Sequence, residues 1–385
     1  MTTTGLLLIA DITGYTTYLK SSELEHAKDS LASLLQLLID HTKAPLIISR
    51  LEGDAVISYS PDGSFRQGQT VVEMIEQTYL DFRRALEMMM LNTSCTCNAC
   101  RNIPNLDLKF FVHYGSFVRQ PLHGYTELVG TDVNLLHRIT KNTVAEEDGL
   151  IAYVLYTEAA IDGLGIQEMV PEMIRHVDSG ADFGELTCYL QDVHMVWEQR
   201  RDEGALNVQP ENAVLTVSQD LPVPQLQTWD LVTTAEYRSI LDGSDHAHVE
   251  KGGHGRIGAG SIYYCAHGTT IVEQTVVDWR PPTEYTYAMD LLFGLYGLTT
   301  VRLTPMDDGT RLTILAGEIE RGRRFTRSLF LVFTKTAVRR SFISSLERVR
   351  ERILIDVQDE SRQPGSAPAF KPGDVAKSVR ESLER

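Results

Sequence analysis

Apolar residues change between strand-like and helix-like spacing along the first part of the chain. The run at residues 5–10 is continuous, as expected of a strand buried on both faces. Helical spacing follows over residues 23–41 and again over about 67–91. Between these predicted helices, two β-branched runs flank Leu51-Glu-Gly-Asp54, which predicts a hairpin with a tight turn. A carboxylate on such a turn is exposed at the end of a sheet.

The pattern continues with elements of both kinds and divides the chain in two. Strands are predicted at 106–118 and 150–156 and a helix at 131–141, whereas 162–201 is mixed and stays unassigned. After a polar stretch come a strand, a helix around Trp229, several strands and a long helix at about 335–357. We therefore predict a domain at 1–200 with an insertion at 93–105, a linker at 201–212, a second domain at 213–357 and a mobile tail at 358–385.

Composition narrows the class of protein. The 385 residues suffice for two or three domains, and 43% hydrophobic with 23% charged residues is typical of globular protein. The net charge of −16 argues against nucleic acid or an anionic membrane as partner. No apolar run approaches the roughly 20 residues of a membrane span, and the start reads as a strand rather than a signal peptide. Five cysteines, three of them close together, do not form a disulfide framework, so we expect a cytoplasmic protein.

Four side chains have the chemistry for one site. Asp11 ends the first strand and Asp54 lies on the hairpin, and paired carboxylates suit two Mg²⁺ or Mn²⁺ ions. Asn134 and Arg138 are spaced i, i+4 and so share one helix face. An amide can orient a sugar, and a guanidinium can neutralise charge on a phosphate. Each residue alone also fits an ordinary turn, cap or solvated helix face.

Four motifs in order resemble the catalytic domain of class III nucleotidyl cyclases. They are Asp11-Ile-Thr-Gly-Tyr-Thr16, Arg50-Leu-Glu-Gly-Asp54-Ala, Val112-His-Tyr-Gly115 and Gly130-Thr-Asp-Val-Asn134 followed by Arg138. The resemblance spans about residues 5–195 and implies an α+β fold with a ferredoxin-like βαββαβ core. It also implies a head-to-tail homodimer, in which Asp11 and Asp54 bind metal on one subunit while the partner supplies Asn134 for ribose and Arg138 for phosphate. The turn Ile12, Thr13, Gly14, Tyr15 and Thr16 would be the phosphate loop.

The chain departs from the family where the base is read. By resemblance, Arg50 replaces the lysine usual in adenylate cyclases, and Glu127 occupies the second base-reading position. Arg50 can donate to an acceptor and Glu127 can accept from an exocyclic amine, which suits adenine. Cytosine offers the same pair and guanine stays open. The later strands contain no counterpart of the family's triphosphate-binding lysine.

The insertion carries Cys95, Cys97 and Cys100. Three thiols at this spacing can occupy three positions of a zinc site, with a histidine or Cys188 as the fourth ligand. Reduced thiols in a loop, or a redox-sensing pair, are the alternatives. The insertion also resembles a subgroup of uncharacterised bacterial relatives of the cyclases.

The second half resembles the START-like, helix-grip (SRPBCC) superfamily. The resemblance rests on Leu221-Pro-Val-Pro224, Trp229-Asp-Leu-Val232, the strands Gly260–Gly268 and Val276–Arg280, and the long terminal helix. Such folds enclose an apolar cavity for a hydrophobic small molecule. The candidate lining residues are His254, Tyr264, His267 and Trp279.

Two functions are compatible with these patterns. The first is a homodimeric cyclase that converts a nucleoside triphosphate, ATP first among them, to a 3′,5′-cyclic nucleotide and pyrophosphate, regulated by the START-like domain. The alternative is a catalytically silent module that binds nucleotide or dimerises, with a hydrophobic ligand in the second domain.

Overall fold

The computed structural model describes residues 2–21, 24–91, 97–122, 125–180, 184–201, 203–291, 295–319 and 338–361. These residues divide into two compact units, one ending at Glu203 and the other beginning at Gly204. Cys95 and the predicted tail from residue 362 onward lie outside the described residues. Within the described ranges no helix is long and apolar enough to cross a membrane.

The first unit alternates strands and helices in chain order. They are β1 (Thr2–Thr13), α1 (Tyr15–Ser21), α2 (Leu24–His41), β2 (Ile47–Glu52), β3 (Ala55–Pro61), α3 (Gly68–Leu91), α4 (Asn98–Asn102), β4 (Asp107–Leu122), β5 (Tyr125–Val129), α5 (Thr131–Ile139), α6 (Val144–Glu147), β6 (Tyr153–Thr157), α7 (Glu158–Leu164), β7 (Ile174–Gly180), β8 (Gly184–Asp192) and α8 (Val193–Arg200).

The topology of this unit is that of a ferredoxin-like core with additions. Its sheet has the order β2-β3-β1-β4-β6-β8-β7, and the first four strands pair antiparallel. Strands β1 to β4, with helices after β1 and after β3, give the βαββαβ order that the cyclase resemblance implies. Strand β6 adds parallel to β4, while β5 folds back on β4 as a hairpin. The predicted α+β fold class is therefore confirmed.

Helices cover both faces of this sheet. Side chains of β1 alternate, so Leu7 and Ile9 pack with α5 residues Leu136 and Ile139 on one face. The other face carries α2 and α3, which contact each other and the sheet. Because β1 is covered on both sides, its run from Leu6 to Ala10 is almost fully inaccessible to solvent. The continuous apolar run in the sequence reflects this position.

Strands β7 and β8 lie in the segment that the sequence pattern leaves unassigned. In β7 the polar residues His176 and Asp178 are buried, whereas Ile174 and Val177 are exposed. His176 Nδ1 lies 2.8 Å from Asp148 Oδ2, which provides a polar partner inside the protein. The alternation is thus inverted relative to an ordinary half-buried strand, and a hydrophobic pattern cannot predict it.

The second unit is one antiparallel sheet with three helices in the described ranges. Its elements are β9 (Leu215–Leu221), α9 (Gln225–Val232), α10 (Ala235–Asp242), β10 (His246–Glu250), β11 (Ile262–His267), β12 (Thr270–Arg280), β13 (Glu284–Leu291), β14 (Leu295–Met306), β15 (Gly309–Ile319) and α11 (Arg339–Ser361). The strand order is β10-β11-β12-β13-β14-β15-β9.

Helix α11 supplies one wall of the second core. Its residues Leu346, Val349 and Ile353 are spaced i, i+3, i+7 and are almost completely buried. They join a cluster that includes Tyr285 and Val301 of the sheet. A long helix packed against one face of a curved antiparallel sheet agrees with the predicted helix-grip architecture.

Candidate functional site

The hairpin between β2 and β3 presents Asp54. Glu52 pairs with Ala55, so Gly53 and Asp54 form a two-residue turn, as predicted. Gly53 has φ +64°, a conformation that a residue without a Cβ adopts at little cost. The turn is anchored to β1 because the Ile12 amide donates to the Asp54 carbonyl at 3.3 Å.

Sheet register brings Asp11 next to this turn. Asp11 pairs with Ala55 of β3 on one side and with Lys109 of β4 on the other. Burial raises the pKa of Asp11, and the nearby Lys109 ammonium opposes that shift. Burial together with the negative charge of Asp11 raises the pKa of Asp54 to about 6. The two carboxylates are therefore close enough to repel each other when both are ionised.

The turn after β1 is packed against the insertion. Gly14 has φ +86°, and a Cβ added there would lie 2.8 Å from the Asn105 carbonyl oxygen. The sequence predicts a close backbone approach at Gly14, and Asn105 is the group approached. The first turn of α1 begins here, with the Tyr18 amide donating to the Gly14 carbonyl at 2.8 Å. Burial and then the charge of Asp54 raise the pKa of Tyr15, so this loop faces the carboxylates.

A cleft of about 930 Å³ opens on the α5 face of the sheet. It collects residues from five separate chain segments, namely Ile9, Asp11, Arg50, Glu52, Ala55, Ile57, Asn134, His137, Arg138, Thr140, Lys141, Asp178, Ser179 and Gly180. The predicted metal residue Asp11 and the predicted pair Asn134 and Arg138 thus line one cavity. His137, Lys141 and the buried Asp178 are site residues that the sequence reasoning missed.

Helix α5 fixes the orientation of its polar residues through its apolar ones. Val133, Leu136 and Ile139 are buried at i, i+3, i+6 spacing, which turns Asn134 and Arg138 outward to the cleft. Among the described residues, the Asn134 side chain has no hydrogen-bond partner, whereas Arg138 makes contacts within the protein. The Asn134 amide is therefore available to a ligand.

The predicted base-reading residues contact each other. Arg50 Nη1 donates to Glu127 Oε1, and Arg50 Nη2 reaches Glu52 Oε2 at 3.2 Å. His137 joins this group, with Nε2 at 3.4 Å from Arg50 Nη2 and Nδ1 at 3.6 Å from Glu52 Oε2. Burial lowers the pKa of His137, although Glu52 partly offsets the shift. A neutral His137 can both donate and accept.

The carboxylate pair fits a divalent cation in its chemistry. Asp11 and Asp54 are hard oxygen donors whose negative charges burial makes costly, with Lys109 as the nearby cation. Across the described part of the chain, no cluster of three or more His, Cys, Asp and Glu side chains has metal-binding geometry. Any cation would therefore take its remaining oxygen ligands from water, backbone or substrate.

The cysteine cluster differs from the prediction at its fourth position. Cys97 caps α4, its sulfur accepting from the Cys100 amide at 3.4 Å, and both thiols are unoxidised. Helix α4 packs with α1, α2 and α3 on one face of the sheet. Cys188 is buried with the α5 residues on the opposite face, so it cannot complete a site with Cys97 and Cys100. A zinc site at Cys95, Cys97 and Cys100 stays a prediction.

The predicted ligand lining of the second unit is only partly internal. Trp279 is half-buried and packs on Trp229 and Tyr285, with ring centroids 4.8 and 5.4 Å apart. Tyr264 instead bonds Glu250 on the outer face of β11, and His267 is exposed at the strand's end. Tyr263, one position before Tyr264, is the residue that faces inward on this strand. The His254 side chain lies outside the described residues.

A fully buried arginine occupies the interior of the second unit. Arg238 of α10 donates to Tyr285 Oη at 3.1 Å and to Gln274 Oε1 at 2.9 Å. Its charge is balanced by Asp242, 3.4 Å away, and its guanidinium stacks on Tyr287 at 3.9 Å. Cys265 and Gln274 also donate to the same Asp242 oxygen. Sequence reasoning gave no role to this residue.

Comparisons with known proteins assign the two units differently. Residues 212–353 match the family described as polyketide cyclase / dehydrase and lipid transport. The second unit is an SRPBCC domain. Residues 31–148 match the family described as protein of unknown function (DUF2652). An uncharacterized protein of Mycobacterium tuberculosis, Rv2561/Rv2562, is 34% identical over 114 residues, which are 30% of this chain and 52% of that protein. The chain thus matches about half the length of this curated relative.

Solved nucleotidyl cyclase structures align with about half of this chain. The guanylyl cyclase Cya2 aligns with 49% of this chain and 92% of its own, at 13% identity and a TM-score of 0.38. The adenylyl cyclase CyaB from P. aeruginosa aligns with 53% of this chain and 98% of its own, at 14% identity and a TM-score of 0.35. These alignments transfer no activity to this chain.

Proposed function

We propose that the first unit is a nucleotidyl cyclase that converts a nucleoside triphosphate, with ATP as the first candidate, to a 3′,5′-cyclic nucleotide and pyrophosphate. The observation that carries the proposal is that Asp11, Asn134 and Arg138 all line the same face of the first unit, around one cleft. Asp54, on the turn beside Asp11, completes a carboxylate pair with raised pKa values, and α5 presents an amide and a guanidinium on one helix face. Carboxylates for cations and cationic donors for phosphate are what phosphoryl transfer needs.

The reaction assigns a task to each residue. The ribose 3′-oxygen forms a bond to the α-phosphorus as the bond to the bridging oxygen breaks; pyrophosphate takes the electron pair and the 3′-proton leaves to solvent. Asn134 orients the ribose, and Arg138 stabilises negative charge growing on the α-phosphate. Asp11 and Asp54 would hold Mg²⁺ or Mn²⁺, which supplies charge neutralisation at the attacking and leaving oxygens.

The resemblance to the cyclases further supports a head-to-tail homodimer. In this arrangement the carboxylates of one subunit act with Asn134 and Arg138 of the other. The exposed position of Asn134 and Arg138 on α5 supports the proposal, because both side chains are accessible to a second copy. Arg50 and Glu127 would read the base. The SRPBCC unit would bind a hydrophobic small molecule and regulate the first unit.

The proposal is tested by incubating the purified full-length chain with Mn²⁺ and each of ATP, GTP, CTP and UTP. Products are separated by chromatography, with and without added hydrophobic ligands. We expect a 3′,5′-cyclic nucleotide and pyrophosphate in equal amounts from at least one substrate. If no cyclic product forms under any of these conditions, the proposed activity is wrong.

Paired variants test the shared site. Asp54→Ala and Asn134→Ala should each be inactive, while Asp308→Ala, on an exposed turn of the second unit, should keep full activity. An equal mixture of the two inactive variants should regain about a quarter of wild-type activity, because half of the dimers then contain one complete site of two. Dimers that form but never regain activity would contradict the interface model.

A second candidate function has one observation in its favour. Arg50 and Glu127 already pair with each other, so a base would have to displace or share their bond. A module that binds nucleotide or dimerises without turnover is compatible with that pairing. Nucleotide binding without any cyclic product, in the same assay, would favour it.

A further inference from the structure

Lys141 lies in the turn that follows α5, two residues beyond the last residue of the helix. Its amide donates to the Arg138 carbonyl at 3.0 Å, which ties this turn to the end of the helix. Asn134 and Arg138 lie on one face of α5, and Lys141 lines the same cleft from the turn. The cleft therefore presents an amide, a guanidinium and an ammonium on neighbouring positions.

The Lys141 side chain is exposed to solvent. Within the described ranges it has neither a hydrogen bond nor an ion pair. Lys43, by contrast, is held by Asp40 at 2.7 Å, and Lys109 lies beside Asp11. An unpaired ammonium in a concave site is a point charge available to an anionic ligand.

The later strands of the first unit provide no lysine for this purpose. Between Lys141 and Lys251 the sequence contains none. The late-strand segment that does reach the cleft supplies Asp178, Ser179 and Gly180 instead. A phosphate-binding lysine in these strands, which the cyclase resemblance implies, is thus replaced by a carboxylate and small polar groups.

We propose that Lys141 binds the β- and γ-phosphates of the nucleotide, in place of the missing lysine of the later strands. The inference rests on the proposed function in one respect, since that function puts Arg138 at the α-phosphate. The next cation in the lining of the cleft is Lys141, three residues farther along the chain in the turn after α5. An ammonium with three donors can contact oxygens of both terminal phosphates.

The test measures binding rather than turnover. Titration calorimetry with Mn²⁺ present compares inorganic tripolyphosphate, ATP and adenosine on wild type, Lys141→Gln, Lys141→Arg and the control Lys28→Gln. Lys28 is an exposed residue of α2 with no partner among the described residues. We expect Lys141→Gln to weaken tripolyphosphate and ATP about tenfold, the effect of one lost charge-assisted contact, and to leave adenosine unchanged. Lys141→Arg and Lys28→Gln should bind like wild type.

The outcomes separate this inference from the cyclase proposal. If no cyclic product forms but Lys141→Gln still loses tripolyphosphate binding, the phosphate site stands and the cyclase activity is wrong. If product forms and Lys141→Gln has wild-type KM for ATP and wild-type tripolyphosphate binding, Lys141 is not the phosphate ligand and the cyclase proposal survives. Failure of the wild type to bind tripolyphosphate also overturns the inference.

Discussion

The cleft of the first unit and the core of the second hold charged side chains in opposite electrostatic settings. At the cleft, burial raises the pKa of Asp11, and on the neighbouring turn burial and the charge of Asp11 raise the pKa of Asp54. In the core of the second unit, Arg238 is completely buried, yet Asp242 and a ring of polar partners raise its pKa well above the ordinary value. A bound cation would stabilise the ionised carboxylates of the first unit. The charge of Arg238 in the second unit is already balanced by Asp242.

This difference indicates what each region contributes. Ionised groups that burial and neighbouring like charges destabilise indicate a site where a bound ligand supplies the opposite charge. A fully satisfied buried network instead fixes one packing of the core, and removing either partner leaves the other charge unpaired. Unusual pKa values therefore point to function in the first unit and to structure in the second.

The largest expected effect comes from breaking the Arg238 network. Arg238→Met leaves Asp242 buried without its cation and should lower the free energy of unfolding of the second unit by about 3–5 kcal/mol. Urea denaturation followed by tryptophan fluorescence measures this, because Trp229 and Trp279 lie in the same core. The double variant Arg238→Met/Asp242→Leu should recover part of the loss. Arg311→Met, whose pair with Asp220 is exposed, is the control and should change little. Equal losses of stability for the two arginine variants would contradict the distinction between the buried Arg238–Asp242 pair and the exposed Arg311–Asp220 pair.

A smaller effect is expected at the loop that joins β1 to α1. Gly14→Ala combines a positive φ with a Cβ only 2.8 Å from a backbone carbonyl, whereas Gly53→Ala has a positive φ and open space. Gly53→Ala should therefore cost about 1 kcal/mol, and Gly14→Ala distinctly more, roughly 2–3 kcal/mol. Thermal unfolding of both variants provides the comparison. Similar losses would show that the contact with Asn105 is not tight in solution.

The smallest predicted change concerns the protonation of Asp54. Its pKa of about 6 in the folded protein exceeds the ordinary 3.8, so the folded state holds this proton more tightly than the unfolded state does. The resulting stabilisation is complete below about pH 4 and is lost as pH rises through about 6. Asp54→Asn should match wild type near pH 4 and be more stable by about 1 kcal/mol at pH 7, a value reduced for solvent screening.

With Mn²⁺ present, wild type should be more stable than Asp54→Asn at pH 7. Cation binding requires ionised carboxylates, so Mn²⁺ should raise the melting temperature of wild type more at pH 7 than at pH 5, and that of Asp54→Asn hardly at all. Asp220→Asn serves as the opposite control in the second unit. Its partner Arg311 lowers the pKa of Asp220, so any loss in that variant should be small because the pair is exposed, should appear at neutral pH and should vanish as pH falls. A pH-independent difference for Asp54→Asn would reject the shifted pKa.

Several features could be predicted because their causes are local. The Gly53–Asp54 turn follows from a glycine between β-branched runs, and the outward face of α5 follows from Val133, Leu136 and Ile139. Tyr263 and Tyr264 illustrate the limit. Adjacent strand residues face opposite sides, and two neighbouring tyrosines give no pattern that identifies the inner one. Arg238 is a similar case, since an i, i+4 pair with Asp242 on a helix ordinarily lies in water.

The sequence by itself determined the main strands and helices outside residues 162–201, the hairpin turn that carries Asp54, and the helix face that carries Asn134 and Arg138. The tertiary structure decided which of these elements lie next to one another. Only the pairing of β1 with β3 brings Asp11 beside the Asp54 turn, and only the folded sheet brings Asp178 of β7 into the lining of the same cleft as Asp11. The reason is physical: local patterns depend on neighbours a few residues apart, whereas charge pairing, burial and pKa depend on residues that are distant in sequence but close in the fold.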